Sequence, residues 1–373
     1  MREALAERLL AQIMQWTPAD VARERPLLQA MAAFKYDEYQ QFAPGMRFIE
    51  SLALWLNQFK TKDERESAYA FMKSRLVFFS NAEMVHFVSV AYPDHIRPLL
   101  INRTATTLNT ATWKIQYLVQ HTEFRSLRRS CLFLGLSDGA RIDIFRRSNS
   151  ELSHEQIWQA YELSSEKAKS IRDELEKDVQ NILENEKKKQ NVNFRMIFLL
   201  DDFSGSGISY LRKSTSDNIF SGKIAKFYQQ LTTNGTGLST LVNLDDLYVG
   251  VTLYIATEKT RIHLEDTLRE LFKGTKIEWG VHIVQQLTED IKIHIEKDSS
   301  FLSLVDEYYD PDAEDEHTKK GGMDVKKGFA GCGLPVVLSH NTPNNSIFLL
   351  WANPSQHRYR GLFPRISRHR SES

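Results

Sequence analysis

Cysteine is almost missing from this chain of 373 residues, with Cys131 and Cys332 the two present. They stand far apart and without metal-ligand spacing, so neither a disulfide framework nor a zinc site is expected. An excess of either charge is missing too. The 48 basic and 48 acidic side chains cancel, which argues against a broad nucleic-acid surface, though not against a local one. Apolar runs of membrane length are lacking as well. Residues 328–356 carry no Asp, Glu, Lys or Arg, but prolines and asparagines break that stretch, so no span is expected. The charged amino terminus leads us to expect no signal peptide and a cytoplasmic protein. What is present is ordinary for a soluble globular chain, 42% hydrophobic and 26% charged, and long enough for two domains or one elaborated α/β domain.

The first 120 or so residues read as helical. Leu5, Leu9, Ile13 and Trp16 recur at helical spacing, as do Phe48, Leu52, Trp55 and Phe59. Ser80 and Glu83 form a capping-box pattern. No Gly-rich phosphate loop occurs here, which favours a packing or partner-docking region. From residue 131 the pattern changes. Residues 131–136 read as a strand, 137–141 as a turn and 142–146 as a second strand. Ser153 and Gln156 are expected to cap a long charged helix reaching about Lys189, with an apolar stripe of Ile157, Tyr161, Ala168, Ile171, Leu175 and Val179. Strands at 196–200, 247–256, 277–284, 334–338 and 347–351, with helices near 218–231 and 263–272, predict a mostly parallel sheet with helical crossovers. Residues 306–316, rich in Asp and Glu, read as a surface loop or an active-site cover, and five arginines within 357–370 read as a solubilising tail or a contact for an acidic partner.

The most informative segment is residues 196–209. Five apolar residues predict a strand buried on both faces, and Asp201 and Asp202 then stand at its carboxyl end, where open α/β sheets hold ligands. Ser204, Gly205, Ser206, Gly207, Ile208 and Ser209 follow as a Gly/Ser turn. Its glycines permit a sharp bend, and the N–H groups of Ser206, Gly207, Ile208 and Ser209 would face an anion at the start of a helix. Carboxylates for sugar hydroxyls beside amides for a phosphate fit a ribose 5-phosphate. A Walker loop is rejected because no Gly-Lys-Ser/Thr follows, and a dinucleotide fingerprint because Tyr210 replaces the third glycine. A strand followed by an acid-capped helix, with no ligand, is the plain alternative.

Two more polar segments lie at the ends of expected strands: Ser137, Asp138, Gly139, Ala140 and Arg141, and the run from His340 and Asn341 to Asn344 and Asn345. With the Asp-Asp-Phe-Ser-Gly-Ser-Gly loop and Ser153-His-Glu-Gln, their order resembles the phosphoribosyltransferase-like family of prokaryotic conflict systems (the PRTase-CE type), over about residues 125–355. The resemblance implies a type I phosphoribosyltransferase-like α/β fold, a mostly parallel sheet flanked by helices, behind an all-helical amino-terminal region. Its domains would be residues 1–124, 125–355 and a basic tail at 356–373. It further implies that Asp201 and Asp202 accept the ribose hydroxyls, directly or through Mg²⁺-bound water, and that residues 204–209 hold the 5-phosphate of phosphoribosyl pyrophosphate (PRPP) or a related nucleotide. Residues 137–141 would form the pyrophosphate loop, with Arg141 supplying charge. His340, Asn341, Asn344 and Asn345 would read a base or other acceptor, although an architectural Asn/Pro turn fits them equally. A role in antiphage defence is implied, with possible homo-oligomerisation or a protein partner such as a reverse transcriptase–RNA assembly or a defence ATPase. A non-catalytic nucleotide sensor or assembly subunit is the alternative.

Overall fold

The computed structural model describes residues 3–159, 163–183, 192–214, 218–314, 316 and 318–365. The chain forms two compact units, Val85–Leu287, and Met1–Met84 with Thr288–Ser373.

Val85–Leu287 is a three-layer α/β unit. Its sheet has five strands: β1 (Cys131–Gly135), β2 (Ile157–Trp158), β3 (Met196–Ser204), β4 (Tyr248–Thr257) and β5 (Glu278–Leu287). They lie in the order β2-β1-β3-β4-β5, and every pairing is parallel. Cys131 pairs with Met196, and Gly135 with Leu200. Successive side chains of a strand face opposite ways, and here both faces are apolar. Leu132, Leu134, Ile197, Leu199, Val249, Val251 and Leu253 pack on one side with helices Ser165–Ile182, Lys223–Thr232 and Glu258–Leu271. Cys131, Phe133, Met196, Phe198, Leu200, Tyr248 and Tyr254 pack on the other with Arg97–Thr107, Thr122–Arg129 and Ile142–Ser148. That double burial explains the continuous apolar runs of β1 and β3. Because β2 lies to one side of β1 and β3 to the other, the strand order reverses between β1 and β3. Open α/β sheets hold ligands in the crevice at such a switch point, outside the carboxyl ends of the strands.

The other unit is largely helical. Glu3–Met14, Pro18–Phe34, Phe48–Asn57, Lys62–Ser74 and Ile295–Glu307 enclose a core rich in aromatics, including Phe48, Trp55, Tyr308 and Phe363. Val77–Phe79 pairs in parallel with Val336–Leu338. The expected Ser80/Glu83 capping box forms, with Ser80 N 2.7 Å from Glu83 Oε2 and Glu83 N 3.1 Å from Ser80 Oγ.

Several local expectations are corrected. Residues 142–146 belong to the helix Ile142–Ser148, because Ile142 and Phe145, three apart, both reach the core. Ser153 and Gln156 do form a reciprocal cap, but on the single turn His154–Gln156, after which Ile157 enters β2. The long helix starts instead at Ser165, capped by Ser164; Ala168, Ile171, Leu175 and Val179 supply its buried stripe, while Tyr161 and residues 184–191 fall outside the described residues. Residues 347–351 contain the one-turn helix Phe348–Trp351, wholly buried; an apolar run alone does not separate a short strand from a buried helix. The tail's Arg368 and Arg370 lie outside the described residues, and no helix among those described is long and apolar enough to cross a membrane.

Candidate functional site

The acidic pair stands in the last residues of β3, and the turn 137–141 follows β1 beside it. Strand alternation sends the neighbouring carboxylates in opposite directions. Asp201 turns toward the side of helix Lys223–Thr232 and is fully buried. Its Oδ1 accepts from Ser137 Oγ at 2.5 Å, and its Oδ2 from Tyr210 Oη at 2.8 Å and Lys223 Nζ at 2.5 Å. Burial pushes this carboxyl above its ordinary value and the charge of Asp202 adds to that, against the Lys223 ammonium and the Ser137 hydroxyl. Burial and the charge of Asp201 push the Tyr210 hydroxyl up as well, so it remains a donor.

Asp202, half-buried, turns to the other side. A methyl group on Gly139 would lie 2.4 Å from Asp202 Oδ2, so the absence of a side chain there lets the first loop close onto this carboxylate. That loop is held from several sides. Ser137 Oγ accepts from Gly139 N at 3.2 Å, Tyr254 Oη of β4 donates to Ala140 O at 2.7 Å, and Gln159 Nε2 donates to Ser137 O at 2.8 Å. Arg141 ends the turn in the left-handed region, at φ 47° and ψ 48°, a conformation uncommon for a residue with a side chain. Asp138 is exposed.

The Gly/Ser loop is built as a tight, self-bonded turn. Gly207 takes φ +76°, where glycine is favoured, and a methyl there would meet His263 Cδ2 at 2.7 Å. Ser204 Oγ accepts from Gly207 N at 3.1 Å and Ser206 Oγ from Ile208 N at 3.4 Å. Two of the four amides expected to face an anion are thus engaged within the loop; those of Ser206 and Ser209 are not taken by these contacts. Thr257 and Thr260, at the start of helix Glu258–Leu271, donate to Gly205 O at 2.8 Å and Ser204 O at 3.0 Å. No helix begins at Ser209. A turn leads into the hairpin Arg212–Lys213 with Phe220–Ser221, and the helix starts at Lys223. Its first two amides are spent on Ser209 O and Tyr210 O, so the helix dipole expected behind the loop is not there, and threonine hydroxyls hold the loop's carbonyls instead.

His340, Asn341, Asn344 and Asn345 belong to the other unit. Asn345 is buried and donates to Phe329 O at 3.3 Å, Asn344 O accepts from Phe329 N at 2.6 Å, and Gln41 Nε2 donates to His340 O at 2.8 Å. Asn341 N and O bond Leu338 in a tight turn. His340, Asn341 and Asn344 make these contacts through main-chain atoms, and Asn345 through its side chain. Lys223, Tyr254 and Gln159 carry no signal in the sequence, and Tyr210 reads there only as the residue that replaces a third glycine, because no spacing links these side chains to the acidic pair before the chain folds.

Among the described residues no group of three or more His, Cys, Asp or Glu is arranged to hold a metal ion. With Asp201 saturated by donors, the donor set suits an ion bound by one carboxylate together with water and phosphate oxygens, the habit of Mg²⁺.

No curated protein and no solved structure matches the chain. A family model described as PRTase-CE matches residues 52–365, a span that takes in both loops of the crevice and most of the chain. With its all-parallel five-stranded sheet, helices on both faces and an acidic pair at the switch point, the chain is phosphoribosyltransferase-like and belongs to the PRTase-CE family.

Proposed function

We propose that the crevice between β1 and β3 binds PRPP or a closely related ribose 5-phosphate, and that the protein transfers the ribosyl phosphate group in a prokaryotic defence system. The observation that carries this reading is the approach of Gly139 to Asp202, which brings the loops after two neighbouring strands together around one half-buried carboxylate. Asp202 would accept the ribose hydroxyls, supported from the opposite face by the Asp201 network. Residues 204–209 would hold the 5-phosphate through the Ser206 and Ser209 amides and hydroxyls, and residues 137–141, with Arg141, would hold pyrophosphate. Asp202 would hold Mg²⁺ through water; bound there, the ion would offset the charge on pyrophosphate. In the reaction the anomeric C–O bond breaks, pyrophosphate leaves with the electron pair and a nitrogen nucleophile forms the new bond. Positive charge then develops on the sugar ring, which a nearby carboxylate stabilises.

One feature favours a second reading, a nucleotide sensor that binds without turnover: the Gly/Ser loop already bonds two of its own amides. Titration of the full chain with PRPP, ATP and NAD, with and without Mg²⁺, separates the cases. We expect PRPP to bind, pyrophosphate to be released once an acceptor is found, and Asp202→Asn to weaken binding at least tenfold, about 1.4 kcal/mol, at unchanged melting temperature. Binding without pyrophosphate release under any acceptor supports the sensor. No binding by the wild type, or an Asp202→Asn variant that binds as well, overturns the site.

A further inference from the structure

Deepening the pocket reading above and resting on it, we propose that Lys223 forms an anion subsite of this crevice, taking a phosphate or pyrophosphate oxygen, while Asp201 holds the lysine in place without touching ligand. Asp201 cannot serve a ligand as it stands. Its side chain has no exposed surface, and both oxygens accept from protein donors, Ser137 and the Asp202 amide on one and Tyr210 and Lys223 on the other. A sugar hydroxyl would have to displace one of them from a buried site.

Lys223 is differently placed. Its side chain is 33% exposed while that of its partner is 0% exposed, so the pair spans from the interior to the protein surface. An ammonium has three donors, and one is spent on Asp201 Oδ2. Its charge also lies 4.8 Å from the Tyr210 ring centroid, a contact that fixes the chain without using a hydrogen. Two donors remain, and the carboxylate that anchors the ammonium also accepts, through its other oxygen, from Ser137 of the β1 loop. The backbone aims the side chain too. Gly222, at φ +113°, stands before Lys223 where a methyl would strike Tyr210 O at 2.5 Å. The glycine therefore lets the helix start against the Gly/Ser loop and sets Lys223 in its first turn. A lysine serves anions as a point charge. It thereby supplies the positive charge that the missing helix start at Ser209 does not.

A plain structural role, neutralising buried Asp201, is the competing explanation. The two are separated by measuring melting temperature and calorimetric affinity for inorganic pyrophosphate and for ribose 5-phosphate, on the full chain with Mg²⁺. The variants are Lys223→Met, Lys223→Arg and the double variant Asp201→Asn with Lys223→Met. Lys223→Met is expected to lower the melting temperature and weaken at least one of the two ligands by tenfold or more. Lys223→Arg should retain most of the affinity. In the double variant, which leaves no buried charge unpaired, the melting temperature should recover and the affinity should not. Recovery of both overturns the subsite and leaves the pocket reading intact. A wild type that binds neither probe overturns the pocket reading, and the subsite with it.

Discussion

A methyl group on Gly139 would lie 2.4 Å from the Asp202 carboxylate, closer than any real contact, and that carboxylate also accepts from Phe203 N at 2.8 Å, a bond its displacement would disturb. Gly139→Ala should therefore cost roughly 1–3 kcal/mol in folding while moving Asp202 off the first loop. We expect PRPP affinity in calorimetry, measured below the lowered melting temperature, to fall by roughly tenfold. Wild-type affinity would show that the approach of these residues does not shape the pocket. At this scale the sequence is informative about residue type and uninformative about direction. Asp201 and Asp202 read as equivalent ligands because they are adjacent; pleating makes them opposites, one on three side-chain donors in the interior and one against Gly139. Lys223 and Tyr210, which decide the state of Asp201, lie beyond the loop, and only the fold brings them back to it.

Among the elements, the buried strands were the legible part. β1, β3 and β4 are apolar on both faces and bounded by turn residues, and their existence follows from composition alone. Short segments were not legible, since Ile142–Ser148 and Phe348–Trp351 are each about one or two turns long and their few apolar residues satisfy either period. The Gly/Ser loop falls between these cases. Its glycines were evident as bend-formers, whereas its seat on Thr257, Thr260 and His263 depends on a helix some fifty residues later in the chain. That seat makes Gly207 a sensitive position. Gly207→Ala combines a left-handed backbone with a methyl 2.7 Å from His263 Cδ2, and should destabilise the unit by roughly 1–3 kcal/mol. Scanning calorimetry should record a fall of several degrees. An unshifted transition would mean that the loop does not hold this conformation.

Across the whole molecule, the pairing of Val77–Phe79 with Val336–Leu338 had no local signal, because distant segments supply the two strands. The units that result should respond differently to acid. In Val85–Leu287, burial, with the charge of His95 adding, lowers His282 from its ordinary 6.5 to about 4, and Nε2 lies 2.8 Å from Tyr248 Oη. The folded state binds that proton less readily than the unfolded chain. The stability involved is complete above pH 6.5 and drains away as pH falls toward about 4. In the other unit, burial of Glu24 opposes ionisation, but bonds from Lys73, Tyr69 and Arg23 outweigh it and hold the carboxyl at about 2 against its ordinary 4.5. Its contribution is present above pH 4.5 and is lost toward about 2. The raised carboxyl of Asp201 acts in the opposite sense, since protonation relieves it, so the effect of His282 is best read by difference. Pulsed hydrogen exchange after incubation at each pH should show Cys131–Gly135 and Tyr248–Thr257 losing protection between pH 6.5 and 4, while Phe48–Asn57 stays protected. In His282→Gln that first loss should move to lower pH. If both units open together at the same pH in the wild type and the variant, His282 does not set the acid limit of the α/β unit.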